Sequence, residues 1–542
     1  MLGLIDRSPI SPTTGCCDRT YWAWKFVDFP RARFQEAVCV MAYLHAADLG
    51  DSSYTGNPRL LRWLQDGLQF WCSIQHPDGS LDEAYPWERS LAATAFTTVY
   101  VSEALAFLGD DLDAAIAEKT RQTIERAGDW LVHNDETHGF LSNHLAAAAA
   151  ALHHAHHVTG EQRFRDRARY FVDRILRHQS EEGWYEEYGG ADPGYQTHGS
   201  FYLARSAELD PDSGLRESLA LSLDFLAHFV HPDGSLGGEY ASRNTQTYYP
   251  AAFEMLAARE ATASWIAETM RPSVNSAAAA GMRSTDAFNY FPFLNNLVFA
   301  HQACTDADGP GATPRDPTPE SGLSWFPQAG IARLRAQRYD AYVGVDKGGV
   351  VKVFDREQRR LAFNDCGYIG SFGGGGVVST QQQHSARVVR AEPDGIAIEG
   401  SVFRVSRPVL DPWRFVAFRL FSLTAGRFPG IARWLKRYLV KVLIQRRREL
   451  DLSFRRQIEF LPDGVRVSDS LKGSDGERIA SLRWCELFTT IHMGSSRYFI
   501  PNELEMIDIE GGWERTISPQ ELVAGVELQR EVRFDTSEPG NV

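Results

Sequence analysis

The chain has 542 residues, 43% hydrophobic and 23% charged, the composition of an ordinary soluble globular protein large enough for two or three domains. Its net charge of −14 is uneven: residues 1–319 carry 24 Lys and Arg against 42 Asp and Glu, and residues 320–542 carry 32 against 28. This balance excludes a general nucleic-acid binder, and any anionic ligand must be met by a local cluster of cations.

In chain order, the N-terminal MLGLIDRSPISPTTG lacks the basic and apolar regions of a signal peptide. No apolar run reaches the roughly 18 residues of a membrane-spanning helix. The seven cysteines are scattered, so reduced thiols are expected, with no disulfide framework, no zinc spacing and a cytoplasmic location. Helical periodicity follows, as in Phe164, Ala168, Phe171, Ile175 and Leu176, and again in Leu215, Leu219, Leu223, Leu226 and Phe229. TDADGPGATPRDPTPE, 305–320, breaks that pattern and predicts a linker between a helical domain (1–304) and a mostly β domain (321–542). GIAIEGSVFRV, 395–405, alternates as a strand, and FRRQIEFLPDGVRVSDSL, 454–471, reads as a hairpin around Pro-Asp-Gly. Residues 430–450 place Ile431, Trp434, Leu435, Tyr438, Leu439 and Val442 on one helical face among many Lys and Arg. That predicts a basic amphipathic insertion packed on the sheet, or one touching a membrane surface or acidic partner.

The helical half repeats itself. HPDGSLDEAYP (76–86), SEEGWYEEY (180–188) and HPDGSLGGEY (231–240) share a Gly, an acid and a Tyr at similar offsets, with THGFLSNH (137–144) a degenerate member. Gly79, Gly139, Gly183 and Gly234 are about one helical hairpin apart. If the hairpins close into an α/α toroid, equivalent loops gather at one end around a shared cleft.

The chemistry-bearing residues fall in those loops. Asn143 and His144 stand where a loop becomes an alanine-rich helix, with Ser142 or Asn143 as a possible N-cap, and can take up charge on a carboxylate. The loop EEGWYEEYGGADPGYQT, 181–197, offers Trp184, Tyr185, Tyr188 and Tyr195, aromatic faces for sugar rings and a phenol for proton transfer. Arg243, beside Asn244 and ahead of Tyr248, can grip a carboxylate bidentately, and Arg89 stands at a comparable place in the first repeat. His198 and Tyr240 complete the candidate substrate-binding set. His153, His154, His156 and His157 lack an acidic partner motif and are expected to form a polar helix face, not a metal site.

Asn143-His144, then a Gly/Glu/Tyr loop ending at Tyr195, then a β domain resembles the heparinase II/III-like polysaccharide lyases and the related alginate lyases and dermatan-sulfate epimerases. The resemblance implies an N-terminal (α/α) toroid followed by an antiparallel β-sandwich, with an acidic polysaccharide or oligosaccharide in the groove between them. It implies that Asn143 and His144 neutralise a uronate carboxylate, that Tyr195 transfers a proton and that a β-domain histidine assists. His384 is the candidate for the last role. Ala386 stands where some members place a zinc ligand, so no metal or cofactor is expected.

The expected reaction is abstraction of the uronate C5 proton with elimination at O4, as in a polysaccharide lyase. Returning the proton to the opposite face would make the same parts a C5-epimerase. A glycoside hydrolase using Glu83, Glu187 or Glu239, or a non-catalytic glycan-binding protein, rank lower.

Overall fold

The apolar spacing read from the sequence becomes eleven helices before residue 306 in the computed structural model of the chain. The model describes all residues except 137–138, 277, 307–310, 374, 406–410, 433, 436–446, 489–515 and 535–542. The helices are α1 (Ala37–Ala46), α2 (Pro58–Ile74), α3 (Leu91–Leu108), α4 (Ala114–His133), α5 (Ser142–Thr159), α6 (Gln162–His178), α7 (Pro193–Leu209), α8 (Leu215–Ala227), α9 (Ala251–Leu256), α10 (Ala261–Ser276) and α11 (Tyr290–Thr305). The odd-numbered helices pack in order, α1 on α3, α3 on α5, and so on to α11, which returns to α1 and closes a ring. Even-numbered helices form the outer layer, α2 against α4, α4 against α6, α6 against α8 and α8 against α10. This is the closed α/α toroid.

Composition explains which helix goes where. α6 has one apolar stripe, with Phe164, Ala168, Phe171 and Ile175 buried and its arginines outside. α3 and α5 are buried around nearly their whole girth, and the alanine run of α5 lets α3, α6 and α7 approach it closely. Leu91–Asp111 is apolar enough to cross a membrane by composition, but 83% of that window is buried as the toroid's centre. His153 and His154 depart from the expected polar face. Both are buried, and His154 Nε2 lies 3.0 Å from Glu103, which also pairs with Arg205 at 2.6 Å.

The repeated turns are built alike. Gly79 and Gly183 have φ of 93° and 96°, and a Cβ on either would run into a carbonyl oxygen of the next outer helix, Arg126 on α4 or Leu221 on α8. Gln75 and Gln179 then donate to equivalent carbonyls, those of Gly79 and Thr123 and those of Gly183 and Ser218. Each of these two turns is a clip between neighbouring hairpins, whereas a Cβ on Gly234 would meet the Ser273 hydroxyl. Gly139, the degenerate member, has open space where its Cβ would be.

After α11 the chain turns to strands. A five-stranded antiparallel sheet runs β1 (Gly322–Phe326), β2 (Ile331–Arg335), β3 (Tyr339–Gly344), β4 (Val350–Asp355) and β5 (Arg360–Asp365) in simple order. The larger sheet comprises β6 (Tyr368–Phe372), β7 (Val377–Ser379), β8 (Ala386–Glu392), β9 (Gly395–Val405), β10 (Arg447–Leu461), β11 (Gly464–Lys472), β12 (Ile479–Trp484), β13 (Thr516–Ile517) and β14 (Val526–Arg533). Its order is β13-β12-β6-β7-β9-β10-β11-β14, with β8 also on β9. Residues 454–471 form the expected hairpin, Leu461 opposite Gly464. Ala341, Val343, Val351 and Val353 of the small sheet share one buried core with Ile396, Ile398, Val465 and Val467 of the large one. Inside it lies a charged knot: Arg456 pairs with Asp469 (2.7 Å) and Asp365 (3.1 Å), Arg530 pairs with both, and Tyr368 donates to Asp469.

The 430–450 segment is not one helix. Residues 429–432 and 434–435 are helical, residues 447–450 already belong to β10, and Tyr438, Leu439 and Val442 lie outside the described residues. A preceding helix, α12 (Pro412–Leu423), had no sequence expectation; Asp411 caps it and Pro412 opens it.

Candidate functional site

The aromatic loop of 181–197 does not stay irregular to its end. Asp192 accepts a hydrogen bond from Tyr195 N (3.0 Å) and Pro193 occupies the first helical position, so α7 begins here and Tyr195 sits on its first turn. The same carboxylate, fully buried, also accepts from Arg243 N (2.8 Å), Thr245 N and the Thr245 hydroxyl. One side chain thus ties Tyr195 to Arg243 across about fifty residues of sequence.

Glu187 does the same for the other pair. Asn143 N donates to Glu187 Oε1 (2.7 Å) and Asn143 Nδ2 donates to Oε2 (2.8 Å). Asn143 is therefore not the N-cap: α5 has no side-chain cap, and Glu187 reaches from the neighbouring repeat to satisfy the exposed N–H. Burial pushes the Glu187 carboxyl up to about 8, against the lowering effect of the two Asn143 hydrogen bonds. His144 follows, with Nδ1 2.8 Å from Glu136 Oε2, which leaves Nε2 as the ring nitrogen that Glu136 does not engage.

Around these pairs the remaining groups close in. Arg243 stacks its guanidinium on the Tyr188 ring at 3.8 Å, and Tyr188 lies 6.5 Å from Tyr195, ring to ring. Arg243 is buried, and its Nε and Nη2 have no hydrogen-bond partner among the described residues. A buried guanidinium with open donors is costly unless something anionic meets it. Asn244, at φ 60°, turns the chain next to it and keeps a buried Oδ1 with no partner among the described residues. His198 lies one turn beyond Tyr195, stacked on Tyr249 (4.3 Å) and Phe96 (5.5 Å), and Phe96 in turn meets His144 edge-on. Burial, with Arg33 and His144 nearby, holds His198 neutral. Gly199 brings α7 against the Asn143 backbone, so the two chemical pairs share one neighbourhood.

The β domain supplies the far wall. His384, at φ 54°, sets Nε2 2.9 Å from the Gly189 carbonyl and Nδ1 3.2 Å from Asp346. It thereby grips the backbone of the tyrosine loop. Lys347 is buried, donates to the Ser242 carbonyl (3.1 Å) and lies 3.9 Å over the Phe488 ring; burial pulls its ammonium down to about 7. Lys352 pairs with Glu239 at 2.6 Å.

Four predicted contacts stand elsewhere. Arg89 is occupied by Asp78 (2.9 Å) and the carbonyls of Gly426 and Arg427. Trp184 donates to Glu182 and packs against the interface between toroid and small sheet. Tyr240 stacks on Tyr342 and hydrogen-bonds His231 within that interface. Tyr248 is packed on Phe253 in the core beside α10. Trp184, Tyr240 and Tyr248 serve packing because their loop positions face a domain seam or the core, whereas Arg89 lines a cavity that Glu136 also lines. The carboxylates weighed for hydrolysis are likewise engaged: Glu83 near Arg33 (3.6 Å), Glu187 by Asn143 and Glu239 by Lys352.

Sequence reading did not single out Asp192, Glu136 or Lys347 and did not give Glu187 its anchoring role. Only Asp192 carried a local signal, an Asp-Pro pair at a helix start.

Residues 28–261 match the family model of the ulvan lyase N-terminal domain. Among solved structures, the chain is similar to the chondroitin AC lyase of Streptomyces coelicolor A3 in complex with chondroitin sulphate, with TM-score 0.50, 13% identity, and coverage of 83% of this chain and 62% of that one. It is also similar to heparinase III, with TM-score 0.49, 11% identity and coverage of 86% and 67%. A Paenibacillus xanthan lyase gives TM-score 0.46, 10% identity and coverage of 84% and 43%. The chain thus spans under two thirds of the chondroitin lyase's length, and no curated protein matches it. The matched residues 28–261 lie within the closed ring of hairpins, and the likeness to the chondroitin AC lyase is one of fold.

Proposed function

We propose that this protein is a lyase that cleaves a uronate-containing polysaccharide by removing the C5 proton and eliminating the substituent at O4. The observation that carries the reading is the convergence of Asn143, His144, Tyr195 and Arg243 at the hairpin tips, with two Arg243 donor atoms buried and unpartnered among the described residues. Removing the C5 proton moves charge onto the carboxylate, and donors already fixed by protein contacts stabilise that charge without reorganisation. Glu187 fixes Asn143, Glu136 fixes His144 and Asp192 fixes the backbone under Arg243. Tyr195 carries the proton from C5 to the departing O4, and Tyr188, clamped under Arg243, supports the guanidinium from behind.

Incubation with a panel of uronate polymers tests the reading. An unsaturated, ultraviolet-absorbing product supports the lyase. Deuterium entering C5 from solvent without chain cleavage would reassign the same groups to C5 epimerisation. Neither product nor exchange on any uronate polymer would sink both.

A further inference from the structure

Lys347 is a buried cation to which the proposed reaction gives no task. It stands in the turn between β3 and β4, 3% exposed, and among the described residues no carboxylate lies within ion-pair distance of it. Its ammonium donates to the Ser242 carbonyl (3.1 Å) and rests over the Phe488 ring. A buried ammonium without a counter-ion is costly, and an apolar side chain of the same length would hold a domain seam better. The seam has other holds: Tyr240 stacks on Tyr342, a Cβ on Gly344 would strike the Tyr240 backbone, and Lys352 pairs with Glu239.

What the lysine holds is the root of Arg243. Ser242 N donates to the Ala191 carbonyl (2.9 Å) and its hydroxyl donates to the Glu187 carbonyl (2.8 Å), so Ser242 ties together both ends of the short loop that carries Tyr188. The peptide joining Ser242 to Arg243 is then gripped at both poles, its carbonyl oxygen by the Lys347 ammonium and its N–H by the Asp192 carboxylate. Held so, the planar unit cannot rotate, and the direction in which the Arg243 side chain leaves the backbone is set. That direction matters because Nε and Nη2 have no partner among the described residues, which leaves the Tyr188 ring and the backbone to aim the guanidinium. We propose that Lys347 is a positioning residue: with Asp192 it clamps the Ser242–Arg243 peptide and so aims the Arg243 guanidinium at the uronate carboxylate. The inference rests on the lyase reading above. Lys347 is too deeply buried to meet the sugar, so it acts through Arg243.

Lys347→Met, which keeps the length of the side chain and removes the donor, tests the proposal in the full chain. On a uronate polymer that the wild type cleaves, kcat/KM for unsaturated product should fall roughly tenfold to a hundredfold, while the thermal midpoint stays or rises. In an Arg243→Ala background the same change should cost less than about threefold, because the group it positions is gone. An unchanged kcat/KM overturns the proposal, as does a loss in the Arg243→Ala background as large as that in the wild type. A midpoint lowered by several degrees also overturns it, since Lys347 would then be a structural residue. A wild type that cleaves no uronate polymer sinks the lyase reading itself, and this inference falls with it.

Discussion

Glu187→Gln separates the electrostatics of the cleft from its shape. Burial raises this carboxyl from 4.5 to about 8, and 3.5 pH units correspond to about 5 kcal/mol. A raised acid favours the folded state only while protonated. Its contribution is complete below about pH 4.5 and is lost as pH rises through about 8. The wild type should therefore lose up to about 5 kcal/mol relative to the glutamine variant between about pH 5 and about pH 9. Lys347, lowered to about 7, works oppositely, contributing stability at high pH that is lost as pH falls through about 7. It is common to both proteins and cancels in the difference. Urea unfolding of the helical signal, measured for both proteins across that range, gives the comparison directly. Glutamine accepts at only one atom, so the Asn143 amide must also lose a partner or turn over, and turnover of a uronate polymer should fall. Stability curves parallel to within about 1 kcal/mol would refute the buried, protonated Glu187.

Tyr195→Phe should keep the fold and lower kcat by about a hundred- to ten-thousandfold, read from formation of unsaturated product. Arg243→Lys keeps the charge but not the fork. It should lower kcat/KM by about tenfold or more, with a smaller loss than Arg243→Ala in the same assay. Arg456→Met leaves Asp469 and Asp365 sharing Arg530 as their one remaining arginine partner among the described residues of the sandwich core and should cost about 3–5 kcal/mol, seen as an earlier urea midpoint for the β-domain transition. Gly183→Ala forces a Cβ into the Leu221 carbonyl at a positive φ and should cost about 1–3 kcal/mol, measured by the toroid's thermal midpoint.

The toroid was legible because its signals are periodic. The apolar stripe of α6 and the recurring Gly-acid-Tyr turns are local patterns, and the clips at Gly79 and Gly183 are their physical cause. The hairpin at 454–471 was legible for the same reason. What escaped was long-range: Glu187 reaching back to Asn143, and Lys347 crossing from the β domain to Ser242, leave no mark in sequence spacing. Tyr240 and Trp184 misled because a tyrosine or tryptophan in a repeat loop serves a domain seam as readily as a cleft. α12 escaped because apolar residues fall on both sides of it, Trp413, Val416 and Leu420 on one and Phe415 and Phe418 on the other, so no single stripe marks it.

The central claim is geometric, and a crystal structure of the Tyr195→Phe variant with a bound uronate oligosaccharide tests it most directly. One sugar carboxylate is expected within hydrogen-bonding distance of Asn143, His144 and Arg243, with C5 facing position 195. A saccharide bound with its carboxylate away from those three side chains would contradict it.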